Sequence, residues 1–215
     1  MTVKIIIFDF DGTIADTLNV LLNITNRLAV EFGYKTIDRE ELNHIKNLSS
    51  REIIKYSGIS ILKFPLLIAK VKSELKTEIA HVQAFPNIES ALVELRNQVD
   101  KVGIVSSNSK TNILAFLEAN NLQNLFDFIY PEVAIFSKSK TINKILKQEN
   151  IKPESSIYVG DETRDIVAAK RSQVIAIAVS WGFNSKQVLA AQNPDFLIDQ
   201  PNQLIDIVKN LQDNS

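Results

Sequence analysis

The stretch "VKIIIFDFDGTIADT", residues 3–17, determines how the rest of the sequence is interpreted. Its run of mostly apolar residues, 3–8, lacks the alternation of a half-exposed strand, which is typical of a strand buried on both faces of a parallel sheet. The run ends in two aspartates, Asp9 and Asp11, whose negative charges repel each other. A glycine follows directly, so the chain can turn sharply there. Two acids in this position require a compensating positive charge nearby.

The composition limits the classes of protein to which the chain can belong. Its 215 residues are 45% hydrophobic, which suffices for one core with a small second domain, and a net charge of -1 argues against nucleic-acid or anionic membrane partners. Cysteine is absent, which excludes disulfides and thiolate zinc sites. No apolar stretch approaches 18 residues and no signal-peptide pattern is visible, so we expect a soluble cytoplasmic protein without a membrane partner. We expect a monomer or small homo-oligomer.

Short runs rich in Val and Ile recur along the chain, each bounded by turn residues, and they predict further buried strands. These runs lie at 101–106, 156–160, 174–179 and 196–198. Helical patterns alternate with them, at 87–98, 110–120, 139–149, 163–171, 185–191 and 201–212. Strands and helices that alternate in this way predict an α/β fold, a doubly wound, Rossmann-like parallel sheet.

Residues 18–84 interrupt this alternation, because they have helical spacing and no predicted strand. Two pairs have the spacing of a capping box, Asp38 with Glu41 and Ser49 with Glu52, and each predicts the start of a helix. The economical interpretation is a helical insertion after the first strand. The predicted domains are an α/β core, 1–17 and 85–215, and an α-helical cap, 18–84.

Polar residues follow three of the predicted strands, and the carboxyl ends of parallel strands are where open α/β sheets bind ligands. Several carboxylates in one site, with no His or Cys, favour a hard cation, and Mg²⁺ is the one we expect. Magnesium, hydroxyl groups and a lysine together are suited to holding a phosphoryl group. The residues concerned are Asp9, Asp11, Ser106, Ser107, Asn108, Asp161, Glu162 and Asp165, with Lys138 or Lys140 near a helix start.

The order of residues suggests a role for each. Asp9, first after the strand, can act as a nucleophile and accept a phosphoryl group. Asp11 can reach the same site and carry a proton. Gly12 permits the turn and Thr13 can form a hydrogen bond nearby, while Lys138 would screen the charge between the nucleophile and a phosphate.

Four ordered motifs, "DFDGT", "VSSN", a lysine before a helix and "GDETRD", resemble those of the haloacid dehalogenase superfamily. The order and spacing fit across essentially the whole chain. The helical insertion resembles the cap of the phosphoglycolate phosphatase-like branch. Glu162 departs from the family pattern, which commonly has a small hydroxyl residue at that position.

The resemblance implies a role for each matching residue. Asp9 would be the nucleophile, Asp11 the general acid and base, Lys138 the charge-neutralising lysine and Ser106 the phosphate-binding hydroxyl. Magnesium would be held by Asp9, by the backbone carbonyl of Asp11, by Asp161 and, directly or in support, by Asp165. The candidate phosphate- or substrate-binding residues are Gly12, Thr13, Ser106, Ser107 and Asn108.

The sequence therefore predicts an enzyme, a Mg²⁺-dependent phosphatase of small phosphate monoesters that forms an aspartyl-phosphate. Its partner would be a small phosphorylated metabolite such as phosphoglycolate. A sugar-phosphate mutase is an alternative, because Lys46 and Arg51 lie where such enzymes hold a second phosphate. A pyrophosphatase is a further hypothesis. So is a non-catalytic phosphate-binding or signalling protein, although the adjacent Asp9 and Asp11 disfavour a signalling role.

Overall fold

The computed structural model describes residues 2–60 and 62–213, and a parallel sheet forms the centre of that part of the chain. Every neighbouring pair of strands is parallel, and the order is β3-β2-β1-β4-β5-β6. The predicted α/β fold is confirmed. The strands are β1 (Ile5–Phe8), β2 (Lys101–Val105), β3 (Phe128–Tyr130), β4 (Ser156–Gly160), β5 (Ile175–Val179) and β6 (Phe196–Ile198).

Strand β1 lies at the centre of the sheet, between β2 and β4. All four of its residues are fully buried, as the unbroken apolar run predicts for a strand covered on both faces. The chain builds the sheet outward on one side, to β2 and β3, and then crosses to the other side at β4. This reversal opens a crevice beyond the carboxyl ends of β1 and β4, where ligands bind in folds of this type.

Strand β3 is absent from the sequence prediction, which gave five strands. It has only three residues, Phe128, Ile129 and Tyr130, all half-buried at the edge of the sheet. Its position is set by pairing with β2, in which Phe128 lies opposite Gly103. A side chain on Gly103 would overlap the Phe128 ring, so this glycine provides the space into which the ring packs.

The predicted helices of the core are all found, with ends that differ by a few residues. Within the described residues, no helix is long and apolar enough to cross a membrane. In chain order the helices are α1 (Leu18–Phe32), α2 (Arg39–Ile45), α3 (Ser50–Tyr56), α4 (Phe64–Glu78), α5 (Ile88–Arg96), α6 (Lys110–Ala119), α7 (Lys138–Glu149), α8 (Thr163–Arg171), α9 (Lys186–Ala190) and α10 (Gln203–Asp213).

Helices α1–α4 occupy the segment for which a cap is predicted. Both capping boxes are confirmed: the Asp38 carboxylate accepts from the Glu41 N–H, and Ser49 and Glu52 bond each other reciprocally. Helices α1 and α4 pack together through buried apolar residues, whereas neither α2 nor α3, both described throughout, has a buried residue. That α1–α4 form a domain separate from the core stays a prediction.

Candidate active site

Asp9 and Lys138 form the centre of the candidate site, at the carboxyl end of β1. Asp9 is 2% exposed, and its Oδ2 lies 2.5 Å from the Nζ of Lys138, the first residue of α7. The same Nζ lies 2.6 Å from Asp165 Oδ1, so a single buried ammonium bridges two carboxylates. Lys140, the other candidate lysine, is exposed on the same helix.

The ionisation of this buried cluster follows from competing effects. Burial favours the neutral amine of Lys138, but the charges of Asp165 and Asp9 outweigh it and raise the pKa of Lys138 above its usual value. Burial raises the pKa of Asp165 to about 6, against the opposing attraction of Lys138. The lysine therefore remains charged, and the carboxylates around it are not fully compensated.

Asp11 is held by a side chain from the end of β2. The Asn108 amide donates to both carboxylate oxygens of Asp11, at 3.1 and 3.0 Å. Asn108 is itself fixed, because its N–H donates to the Ser106 hydroxyl at 3.0 Å and its side-chain oxygen accepts from Asn112 at 3.0 Å. Burial, and then the charge of Asp9, raises the pKa of Asp11 to about 7. A carboxyl group with this pKa can give and take a proton near neutral pH.

Asp161, at the end of β4, is bound by the loops that follow β1 and β5. The Thr13 hydroxyl donates to its Oδ1 at 2.7 Å, and the Phe183 N–H donates to its Oδ2 at 2.7 Å. Gly12 has φ 77°, and a Cβ at that position would overlap the Asp161 carboxylate, so the turn and the close approach both require glycine. Burial, and then the charge of Glu162, raises the pKa of Asp161 well above its usual value.

Carboxylate oxygens of Asp9, Glu162 and Asp165 lie within 4.8 Å of one another, and all three residues are buried. The Asp161 carboxylate adds a fourth buried acid beside them. Two cations pair with this group. Lys138 contacts Asp9 and Asp165, and Arg164 donates a hydrogen bond from its Nε to Glu162 at 2.6 Å. An all-oxygen donor set with excess negative charge fits a hard divalent cation.

Comparison with known proteins assigns the chain to a family. The model of haloacid dehalogenase-like hydrolases matches residues 6–179. The chain belongs to this family. The resemblance drawn from the four motifs is thus confirmed.

Two relatives and one solved structure illustrate what this haloacid dehalogenase-like hydrolase is similar to. It is 39% identical over 206 residues to phosphoglycolate phosphatase of Synechococcus elongatus, covering 96% of this chain and 97% of the relative. It is 27% identical over 221 residues to pyrophosphatase PpaX of Oceanobacillus iheyensis, covering 97% and 98%. A predicted phosphatase from Clostridium acetobutylicum has the same fold, with a TM-score of 0.83 at 19% identity, covering 98% of this chain and 100% of the other. The prediction of an enzyme of the phosphatase class is confirmed.

The structure brings most of the predicted site residues of this hydrolase together. The candidate phosphate-binding residues make different contacts. Gly12 packs against Asp161, and the Thr13 hydroxyl donates a hydrogen bond to it. The Ser106 hydroxyl instead accepts a hydrogen bond from the Asn108 N–H. Ser107 is half-buried. The residues that meet at the carboxyl ends of β1, β2 and β4 are Asp9, Asp11, Ser106, Asn108, Lys138, Asp161 and Asp165.

Sequence reasoning gave no role at the site to Asn184, which the structure places there. Its amide oxygen accepts from the N–H of Thr163 at 2.9 Å, at the start of α8. Trp181 donates from its Nε1 to the Thr13 carbonyl at 3.1 Å. No local pattern could have indicated these contacts, since they join residues far apart in the sequence.

A cavity of about 570 Å³ opens beside the candidate catalytic residues and extends between α1–α4. At its inner end lie Asp11, Ser107, Asn108 and Arg164. A substrate whose phosphate contacts the acids would place its leaving group here. The walls farther out are mostly apolar and include Leu21, Leu22, Ile45, Ile53, Phe64 and Ile68.

Proposed function

We propose that this phosphatase hydrolyses small phosphate monoesters with the aid of Mg²⁺ and carries the phosphoryl group on Asp9. The observation that carries the proposal is the position of Lys138, whose Nζ lies 2.5 Å from Asp9 and 2.6 Å from Asp165 in a fully buried cluster. A carboxylate attacks a phosphate anion only if their shared negative charge is compensated, and this lysine compensates it at the nucleophile itself.

In the first step, a carboxylate oxygen of Asp9 forms a bond to phosphorus, and the bond from phosphorus to the leaving-group oxygen breaks. Asp11, held by Asn108 and with its pKa raised to about 7, gives its proton to the departing oxygen. The product alcohol can then leave the cavity, while the phosphoryl group stays on Asp9.

In the second step, Asp11 is ionised and takes a proton from a water molecule. The water oxygen bonds to phosphorus and the bond to Asp9 breaks, which releases inorganic phosphate and returns Asp11 to its protonated state. One residue thus acts as acid and then as base, which the two-residue spacing from the nucleophile permits.

The cation would be held by carboxylate oxygens of Asp9, Asp161 and Asp165 and by the backbone carbonyl of Asp11. Hydrogen bonds from Thr13 and Phe183 leave further lone pairs on the Asp161 oxygens, so these bonds are compatible with metal binding. The bound ion would supply positive charge against the transferring phosphoryl group.

We propose phosphoglycolate as the leading substrate, because the Synechococcus elongatus relative at 39% identity is a phosphoglycolate phosphatase. Pyrophosphate is the second candidate, because the Oceanobacillus iheyensis relative is a pyrophosphatase. The two differ in the group that leaves as Asp9 attacks, a small hydroxy acid in the first case and phosphate in the second.

The test is phosphate release from a panel that contains phosphoglycolate, pyrophosphate, a sugar phosphate and a nucleoside monophosphate, with Mg²⁺ and with a chelator. We expect release that needs Mg²⁺, falls to background in Asp9→Asn and is unchanged in the matched variant Asp16→Asn, an exposed aspartate of the same loop. Asp11→Asn should lower kcat by roughly 10²–10⁴-fold.

Release from none of these substrates by the folded, Mg²⁺-loaded protein would contradict the proposal. Equal release by Asp9→Asn and the wild-type protein would contradict the role of Asp9 even if hydrolysis occurs. Conversion of a sugar phosphate to its isomer without net phosphate release would favour the mutase alternative.

A further inference from the structure

Asn184 is a buried side chain that joins two segments of the chain. It is 3% exposed and lies in the loop between β5 and α9. Its amide oxygen accepts from the Thr163 N–H at 2.9 Å, and its amide nitrogen donates to the carbonyls of Lys46 and Leu48, at 3.2 and 3.0 Å. Both of its N–H groups are used, and only one orientation of the amide satisfies all three contacts.

On one side, the loop of Asn184 lies against the acids of the active site. The Asn184 N–H bonds the Asp161 carbonyl at 3.3 Å, and the neighbouring Phe183 N–H bonds the Asp161 carboxylate at 2.7 Å. A Cβ on Gly182 would overlap both Asp161 and the backbone of Gly12, so the loop has no free space beside the carboxylate. Movement of this loop therefore displaces Asp161.

On the other side, Asn184 holds the connection between α2 and α3, residues 46–49. Ser185 adds two bonds to the same connection, from its N–H to the Lys46 carbonyl at 2.8 Å and from its hydroxyl to Asn47 at 2.6 Å. Helices α2 and α3 have no buried residue, so apolar packing alone fixes them weakly. The contacts of Asn184 and Ser185 therefore contribute to holding these helices, together with the bond that the Ser50 hydroxyl of α3 donates to Glu162 at 3.0 Å.

We propose that Asn184 is a positioning residue, which couples closure of the 46–49 connection over the active site to the placement of Asp161 and the first turn of α8. The expected changes in KM and kcat rest on the proposed phosphatase function. The expected change in hydrogen exchange at residues 46–50 rests on the hydrogen bonds alone. When the 46–49 connection is hydrogen-bonded to Asn184, the leaving-group cavity is covered and Asp161 is held in place. When it is released, the cavity opens and substrate is held less tightly.

Asn184→Asp separates the two sides of the contact. An aspartate can still accept from the Thr163 N–H, but it places an oxygen against the carbonyls of Lys46 and Leu48. We expect hydrogen exchange of amides 46–50 to accelerate about tenfold or more, from the loss of two hydrogen bonds. KM for phosphoglycolate should rise about tenfold. The fall in kcat should be smaller than in Asn184→Ala, although the added carboxylate places further negative charge near Asp161 and Glu162. Asn184→Ala loses both sides, so kcat should fall about tenfold as well.

Asn120→Asp is the matched control, because Asn120 makes the same three kinds of contact with residues outside the acidic cluster and outside the 46–49 connection. Its amide donates to the carbonyls of Val82 and Phe116 and accepts from the Ala84 N–H. This variant should lower the urea midpoint and leave KM and exchange at 46–50 unchanged. Asn47→Ala, at an exposed position, removes the bond from Ser185 together with the bond that the Asn47 amide donates to the Asn43 carbonyl at 2.8 Å, and it should accelerate exchange about threefold in a protein that folds normally.

Exchange at 46–50 is measured by mass spectrometry on the substrate-free protein, so it tests the coupling even if the wild-type protein hydrolyses none of the panel. The inference is overturned if Asn184→Asp and Asn47→Ala both exchange at the wild-type rate. It is also overturned if Asn120→Asp raises KM as much as Asn184→Asp does, or if Asn184→Asp lowers kcat as much as Asn184→Ala with KM unchanged.

Discussion

Replacing Lys138 by methionine removes the one ammonium that lies between Asp9 and Asp165. Methionine has a similar length and tolerates an apolar environment, so the change deletes charge more than volume. Lys138 is 1% exposed and both carboxylates are almost as inaccessible, so water cannot replace the lost contacts at 2.5 and 2.6 Å. The variant leaves two acids buried without their counter-ion.

Removing one partner of a buried ion pair costs about 3–5 kcal/mol of unfolding free energy. The size depends on pH, because a carboxylate can escape the penalty by protonation. The pKa of Asp165 is already raised to about 6 with Lys138 present, and it rises further without it. Between about pH 4 and this further raised pKa, Asp165 is protonated in the folded variant but ionised in the unfolded chain. The free energy of unfolding of the variant therefore falls by up to about 1.4 kcal/mol per pH unit as pH rises.

Urea unfolding of metal-free protein at about pH 5 and about pH 8, followed by circular dichroism, measures this directly. We expect Lys138→Met to be less stable than wild type by about 3–5 kcal/mol at the higher pH and by much less at the lower. Lys140→Met, an exposed lysine on the same helix, should stay within about 0.5 kcal/mol at both pH values. Equal stability of the two variants at the higher pH, or a loss in Lys138→Met that does not depend on pH, would refute the reasoning.

Three further predictions concern the same acids. The pKa values of Asp11 and Asp165 are raised to about 7 and about 6, so the metal-free wild-type protein should lose stability as pH rises from about 4 to about 7. For the same reason, Mg²⁺ should raise Tm more at about pH 8 than at about pH 5. Equal Tm shifts at the two pH values would contradict this. Gly12→Ala should impair folding or abolish Mg²⁺ binding, measured by calorimetry, since its Cβ overlaps Asp161, and wild-type binding would disprove the overlap. Asn108→Ala should lower kcat at least tenfold with KM less affected, because Asp11 loses both bonds that orient it; an unchanged kcat would exclude that role.

The fold could be predicted largely because its strands are buried on both faces. Strand β1 has no exposed residue, and an unbroken apolar run is the direct consequence in the sequence. Edge strand β3 is not buried on both faces, since Phe128–Tyr130 is only half-buried. Its position depends on a long-range pairing, in which Phe128 lies opposite Gly103. The capping boxes at Asp38 and Ser49 were predictable for the opposite reason, because both partners lie within one turn.

The candidate site was predictable where strand ends and chemistry coincide. The carboxyl ends of parallel strands lie at one edge of the sheet, and this brings together residues from separate elements. The result is the pair of contacts from Lys138 to Asp9 at 2.5 Å and to Asp165 at 2.6 Å. The contacts of Asn184 with Thr163 and Leu48 span 21 and 136 residues and depend on the path of a loop. Sequence periodicity carries no information on such a path, so Asn184 required the structure.

The central claim is that Asp9 carries the phosphoryl group. The most direct measurement mixes Asp11→Asn with phosphoglycolate and Mg²⁺, stops the reaction with acid, and locates any added phosphoryl group by peptide mass spectrometry. This variant lacks both the acid for the first step and the base for the second, so the phosphoryl group is transferred slowly and is then retained. After long incubation we predict that it is found on the peptide containing Asp9 and is absent when Asp9 is also replaced by Asn. Phosphate released by the wild-type protein, with no phosphoryl group on Asp9 in either protein at any quench time, would contradict the claim.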